Sequence, residues 1–153
     1  ALERARKALE LDATSAEAAN FLGYVLADHN RDLPEAEQWV RKAVAAEPEN
    51  YAFLDSLAWV YYRQAKYGPA LIEINRALRL SGPEPDPVIL DHAGDIYAAN
   101  GLALLAEQYW RRALNGGAAE KDKARVLEKL RQLGASGVGR PEALSPVGRG
   151  PAS

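Results

Sequence analysis

Side chains able to carry out chemistry are few in this sequence, which has no Cys and only two His, His29 and His92. The best cluster is Asp91, His92 and Asp95, where a step of three residues would put His92 and Asp95 on one helix face. A metal site here would have few ligands, in no known ligand spacing. His29 lies in a polar turn and is expected to be solvated. We therefore predict no metal site and no cofactor, and we interpret the cluster as polar residues on an open helix face.

The glycines form no catalytic motif either. Gly82 and the pair at 116–117 are isolated turn glycines, and the sequence contains neither a phosphate-binding string of the Gly-x-x-x-x-Gly-Lys or Gly-x-Gly-x-x-Gly type nor a Gly-x-Ser-x-Gly nucleophile elbow. We predict that this chain is not an enzyme.

Charge and hydropathy exclude two further classes of partner. The formal net charge is −2, with Lys and Arg interspersed among Asp and Glu. This balance gives no electrostatic case for binding nucleic acid or an anionic membrane. No apolar run approaches the roughly 18 residues of a membrane span, so we expect no direct membrane insertion.

The segment 51–80 predicts the elements that would position these residues. Apolar residues recur at helical steps of three and four on both sides of a short polar stretch at 64–69. Pro69 suits the first turn of a new helix, where backbone N–H groups lack partners in any case. The segment is therefore predicted to be a helical hairpin.

Small residues show that the hairpin repeats. Ala70 and Ala77 have counterparts at 36 and 43, at 106 and 113, and at 1 and 8, with offsets of about 34 residues. In the first helices, Ala58 corresponds to Gly23 and Gly94. With this period and these residues the chain resembles the tetratricopeptide repeat (TPR) family, over residues 1 to about 118. Small side chains at these positions would let the helix axes approach closely.

The resemblance implies an all-α fold, a right-handed TPR-type solenoid of helical hairpins. We expect the second helix of a truncated repeat at 1–12, complete repeats at 16–50, 51–84 and 87–118, an amphipathic capping helix at 120–134, and a disordered tail at 135–153 rich in Gly, Pro and Ser.

The local sequence at 21–28, 54–62 and 91–97 is similar to the closing repeats of multi-repeat bacterial proteins, many of them exported or lipid-anchored. The resemblance favours the bacterial periplasm or cell envelope, and leaves the cytoplasm open. Since there is no Met, we expect a piece of a longer protein. The first helix would then leave part of its apolar face uncovered, at Leu2, Ala5, Leu9 and Leu11, and this edge would drive self-association.

In the family, the first helices of successive repeats line a concave groove. The corresponding positions here are Asn20, Tyr24, Asp28, Asp55, Ser56, Trp59, Tyr62, Arg63, Asp91, His92 and Asp95. Aromatic side chains and Arg are typical of interface hot spots. Packing between hairpins is the alternative interpretation of Trp59 and Tyr62.

The favoured function is a non-catalytic protein-protein interaction module that binds a peptide or protein segment in this groove. Because Asp residues outnumber Arg63 there, the partner is expected to be neutral or basic, with an apolar or aromatic anchor held by Trp59. Two alternatives remain: the structural end of a longer scaffold, and the non-catalytic arm of an enzyme that lies in a missing part.

Overall fold

The computed structural model describes residues 1–136, which form eight α-helices and no strand. Their bounds are α1 Leu2–Leu11, α2 Ala16–Asp28, α3 Leu33–Ala46, α4 Tyr51–Arg63, α5 Tyr67–Ser81, α6 Pro87–Ala99, α7 Ala103–Asn115 and α8 Glu120–Ser136. The predicted all-α solenoid of hairpins is confirmed. Of the predicted tail, residues 135 and 136 are instead the last turn of α8, and 137–153 lie outside the described residues.

The helices pack as a row of hairpins. The closest packing is within the pairs α2–α3, α4–α5 and α6–α7, and each pair stacks on the next through contacts of α2 and α3 with α4, of α5 with α6, and of α4 with α6. Helix α1 packs on α2, and α8 packs on α7. The first helices α2, α4 and α6 therefore lie side by side and form one face. None of the helices in residues 1–136 is long and apolar enough to cross a membrane.

Side-chain caps fix where the first helices begin. Ser15 accepts a hydrogen bond from the Ala18 N–H at 3.1 Å, and Asn50 and Asp86 cap α4 and α6 in the same way. The spacing of Thr14 and Glu17 is that of a capping box, in which Thr14 would be the cap. The Thr14 hydroxyl instead donates a hydrogen bond to Asp12. The cap therefore lies one residue later than the sequence motif suggests.

The recurring small residues lie where helices come closest. All of those in the three complete hairpins are buried, namely Gly23, Ala36, Ala43, Ala58, Ala70, Ala77, Gly94, Ala106 and Ala113. A Cβ on Gly23 would overlap Val40, and one on Gly94 would overlap the indole of Trp110. Ala8 is only half-buried and Ala1 is exposed, because α1 lies at the end of the row and packs mainly on α2.

Helix α1 leaves less apolar surface open than its sequence suggests. Ala5 and Leu9 are buried against the main core, and Leu2 is half-buried beside it. Leu11 alone of the four expected residues is fully open, at 80% exposure. The part of the face that is uncovered is therefore limited to Leu11 and some of Leu2, because α2 covers most of the rest.

Candidate binding groove

An open groove of about 630 Å³ crosses the face formed by α2, α4 and α6, and α8 closes one side of it. Eight of the predicted binding residues line it: Tyr24, Asp28, Trp59, Tyr62, Arg63, Asp91, His92 and Asp95. Three do not. Asp55 is buried in the wall beneath His92, and Ser56 is buried with its hydroxyl donating to the Ala52 carbonyl at 3.1 Å. Asn20 is half-buried, with its Oδ1 enclosed and without a hydrogen-bond partner in the described chain. Eight of the eleven predicted residues therefore lie around one groove, and their role in binding stays a prediction.

A stack of three rings forms the floor of the groove. The Trp59 indole stacks on the imidazole of His92 at 4.1 Å and on the ring of Tyr62 at 4.9 Å, both at an interplanar angle of 19°. As a result Trp59 is only 7% exposed. Packing between hairpins is thus the main role of Trp59, and Tyr62, which is half-buried, presents the more accessible ring.

Asp55 and His92 form a buried pair that ties α4 to α6. The Nδ1 atom of His92 lies 2.9 Å from an oxygen of Asp55, and the His92 side chain is 4% exposed. Burial lowers the pKa of His92, but Asp55, together with Asp91 and Asp95, outweighs burial, so the pKa lies above its ordinary value. No hydroxyl within residues 1–136 hydrogen-bonds this imidazole. The pair therefore has the geometry of a structural link, without a nucleophile to activate.

Two cations from α8 neutralise the aspartates of α6. Arg125 and Lys129 approach the Asp91 carboxylate at 2.8 and 2.9 Å, and Lys129 lies 2.7 Å from Asp95. The Trp110 indole N–H also donates to Asp95, at 3.2 Å. Burial raises the pKa of Asp95, and Lys129 opposes this shift. Both carboxylates thus have their partners within the chain.

The contribution of α8 corrects the predicted charge of the groove. The acidic expectation considered only the first helices of the repeats. In the structure α8 adds one carboxylate and three cations to the lining, so that four of each sign are present: Asp28, Asp91, Asp95 and Asp122 against Arg63, Lys121, Arg125 and Lys129. The sequence signal for these cations was the spacing of four residues between Arg125 and Lys129, which places them on one face of a helix.

At the opposite end of the groove, near α2, the polar groups are less engaged. Arg63 donates to the backbone carbonyls of Ala27 and Asp28, at 3.0 and 3.4 Å, and so ties α4 to the last turn of α2. The side chain of Asp28 is exposed and makes no ion pair with another described residue. Burial, with the carboxylates of Asp28 and Asp55, raises the pKa of Tyr24, so its hydroxyl remains a hydrogen-bond donor near neutral pH.

The second histidine is not part of this groove. His29 is exposed, as expected of a solvated turn, but its Nδ1 also lies 2.9 Å from the Val25 carbonyl oxygen at the end of α2. Among residues 1–136 no group of acidic, His or Cys side chains is arranged to hold a metal ion.

Comparison with known proteins supports the fold and the repeat. No protein-family model matches the chain. A region of 81 residues is 37% identical to a TPR repeat-containing protein of Pseudomonas aeruginosa, covering 53% of this chain and 13% of that protein. The fold is similar to the N-terminal domain of stress-induced protein-1 from C. elegans, with a TM-score of 0.56 and 21% identity over 78% of this chain and 94% of that domain.

The structural match, at this identity, establishes the fold, and the bacterial match concerns a small part of its relative's length. Both agree with the period of small residues and with the three stacked hairpins. The chain therefore has the fold of a tetratricopeptide repeat solenoid, and over 81 residues its sequence is similar to that of a TPR repeat-containing protein.

Proposed function

We propose that this chain is a non-catalytic protein-protein interaction module that binds a peptide or protein segment in the groove across α2, α4 and α6. The observation that carries the proposal is the lining itself: first helices of three successive hairpins contribute aromatic rings and charged groups to one continuous open surface. Aromatic side chains with neighbouring Arg are the usual energetic anchors of interfaces. A segment that crosses three hairpins would also depend on how the hairpins are stacked.

The anchor for such a segment is better assigned to Tyr24 and Tyr62 than to Trp59. Both Tyr side chains are half-buried and line the groove, so each keeps an open ring surface and a hydroxyl. The indole of Trp59 is occupied by His92 and Tyr62. Trp59 would therefore support the anchor rings rather than hold the partner.

A neutral or basic partner remains our proposal, on a narrower basis than the sequence suggests. Asp28 supplies an exposed carboxylate beside Tyr24 and Tyr62. A basic group of the partner would pair with Asp28 while apolar groups contact the two rings. The other lining carboxylates already have cations in the chain.

Display selection of peptides against the immobilised protein would test this function. Selected peptides should carry an apolar or aromatic residue near a Lys or Arg, and Asp28→Lys should weaken their binding about fivefold by charge repulsion. Glu10→Lys, an equal charge change at an exposed position of α1, is the matched control and should leave binding unchanged. Equal affinities for both variants, or selection of acidic peptides, would contradict the proposed site.

A structural scaffold is the second candidate, and one observation favours it. Asp55, Trp59, Asp91 and His92 are all buried through contacts within the chain, so much of the predicted site serves the fold. A scaffold would give no selected peptide in that experiment.

Self-association through the edge of α1 stays a prediction and now rests mainly on Leu11. If this residue drives association, Leu11→Ser should lower the mass measured by light scattering at high protein concentration. The same mass for both proteins would show that Leu11 does not drive association.

A further inference from the structure

Helix α8 is attached to the solenoid differently from every other described helix. It buries one residue fully, Val126, in a small apolar cluster with Ala106 and Trp110 that is separate from the main core. Leu130 and Leu133 are only partly covered there, and Leu127 is 56% exposed. The core shared by α1 to α6 contains no side chain of α8. The main core of α1 to α6 therefore does not depend on α8 for its packing.

The polar attachment of α8 is directed at the groove. Arg125 and Lys129, one helical turn apart, reach the carboxylates of Asp91 and Asp95 on α6. The side chain of Arg125 is 57% exposed and that of Lys129 is 23% exposed. The cation of each pair is thus at least partly open to solvent, so a cation of another segment can reach the same carboxylate and replace it.

The carboxylates of α6 need cations regardless of their source. The side chains of Asp91 and Asp95 are 5% and 10% exposed. A buried carboxylate without a partner is strongly unfavourable. Any segment that removed α8 would have to supply positive charges at the same two places, and this requirement defines the chemistry of the competitor.

We propose that α8 is a displaceable occupant of this end of the groove, and that the partner is a basic amphipathic helix which takes its place. The inference rests on the proposed function and specifies its partner. Such a helix presents Lys or Arg at a spacing of four, each followed by an apolar residue, as in the Arg125-Val126 and Lys129-Leu130 pairs of α8. Its cations pair with Asp91 and Asp95, and its apolar residues cover Trp110 and Ala106.

Exchange of α8 for a partner helix replaces contacts with contacts of the same kind. Displacement of α8 breaks ion pairs and one small apolar cluster, and binding of the partner forms ion pairs and an apolar cluster again. Elements with few buried apolar contacts open at lower free energy than the core. Because α8 competes with the partner, the apparent affinity equals the intrinsic affinity multiplied by the fraction of molecules in which this end of the groove is free.

The probe for this inference is a synthetic peptide with the sequence of residues 120–136, compared with the same peptide carrying Gln in place of Arg125 and Lys129. Hydrogen exchange of the full chain is followed with and without peptide. We expect the basic peptide to speed exchange of backbone amides from Val126 to Leu133, while amides in α2 to α5 stay protected. The Gln peptide should have no effect.

Protein variants supply the matched comparison. Arg125→Gln with Lys129→Gln should bind the basic peptide roughly tenfold more tightly than wild type, because the internal competitor is weakened. Arg131→Gln removes a cation that pairs with Glu128 on α8 itself and should leave the affinity unchanged. Exchange in α2 to α5 reports whether the double variant remains folded, and the wild-type exchange result does not depend on it.

Each outcome is decisive. Peptide binding without faster exchange in α8 would overturn displacement and leave the groove function intact. No binding of the basic peptide to either protein, while display-selected peptides of another kind bind, would also overturn this inference alone. If no peptide binds the groove at all, the proposed function fails with it. Concentration-dependent dimers whose α8 amides exchange faster without peptide would make a second copy the occupant and would overturn the assignment to a partner.

Discussion

The two ends of the groove differ in how far their charges are satisfied within the chain. Near α6, Asp91 and Asp95 are buried and paired with Arg125 and Lys129. Near α2, Asp28 is exposed and unpaired within the described residues. The same residue type therefore holds the fold together at one end and remains available at the other. The charge of a helix face predicts the charge of a binding surface only after the neighbouring elements are in place.

The largest expected effect on stability comes from a substitution in the ring stack that forms the floor of the groove. Trp59→Ala would remove an indole stacked on His92 and Tyr62 and should cost about 3–5 kcal/mol in the free energy of unfolding. Tyr51→Ala, on the same helix but 43% exposed, should cost less than about 1 kcal/mol. Urea denaturation measures both. A small loss at Trp59, with a large loss of peptide binding, would restore Trp59 as the anchor.

A second pair of substitutions compares the two ends directly. Lys129→Gln leaves the carboxylates of Asp91 and Asp95 with fewer cations and should cost about 2 kcal/mol. Asp28→Asn changes an exposed carboxylate and should stay within about 0.5 kcal/mol. The measurement is urea denaturation, with hydrogen exchange of α8 as a local check. Similar values at the two sites would mean that the ends do not differ in the way described.

The buried pair in the floor predicts the pH dependence. The pKa of His92 is raised in the folded state, because Asp55, with Asp91 and Asp95, outweighs the opposing effect of burial. The folded state thus binds this proton more tightly than the unfolded state. The resulting stability is fully present below the unfolded pKa of about 6.5 and is lost as the pH rises through the folded pKa. The loss amounts to about 1.4 kcal/mol for each pH unit that separates the two pKa values.

The difference in unfolding free energy between wild type and His92→Gln, measured from pH 5.5 to 9, should therefore shrink toward high pH. Gln38→Ala, which changes an exposed side chain without an ionisable group, provides the control and should show no such trend. A difference that grows with pH would mean that the folded state lowers the pKa of His92 and holds a neutral imidazole.

The sequence predicted the hairpins well because close helix packing imposes a strict requirement on side-chain size. Gly94 faces Trp110 and Gly23 faces Val40 with no space for a Cβ. The period of small residues along the sequence therefore marks the positions where the helices pack closely. The expected groove positions came from the resemblance to the repeat family, which rests on the same period.

The pairing and burial of the charged side chains in the groove could not be predicted from the period of small residues. Arg125 and Lys129 lie on an amphipathic helix whose polar face looks locally like any solvated surface, and only the tertiary position of α8 brings them to Asp91 and Asp95. The helical pattern puts Asp55 on the open face, but its contact with His92 involves a residue 37 positions away. Contacts at such separations leave no periodic signal along the chain.

The central claim is that a partner enters the groove and is held at its α2 end. The most direct measurement is NMR shift mapping of the isotope-labelled full chain with a display-selected peptide. We predict that, outside α6 and α8, the largest changes occur at Tyr24, Asp28 and Tyr62, with none at Ile72 and Leu104, which are exposed apolar residues of α5 and α7 outside the groove lining. Changes centred on Ile72 or Leu104, with Tyr24 and Tyr62 unaffected, would contradict the account.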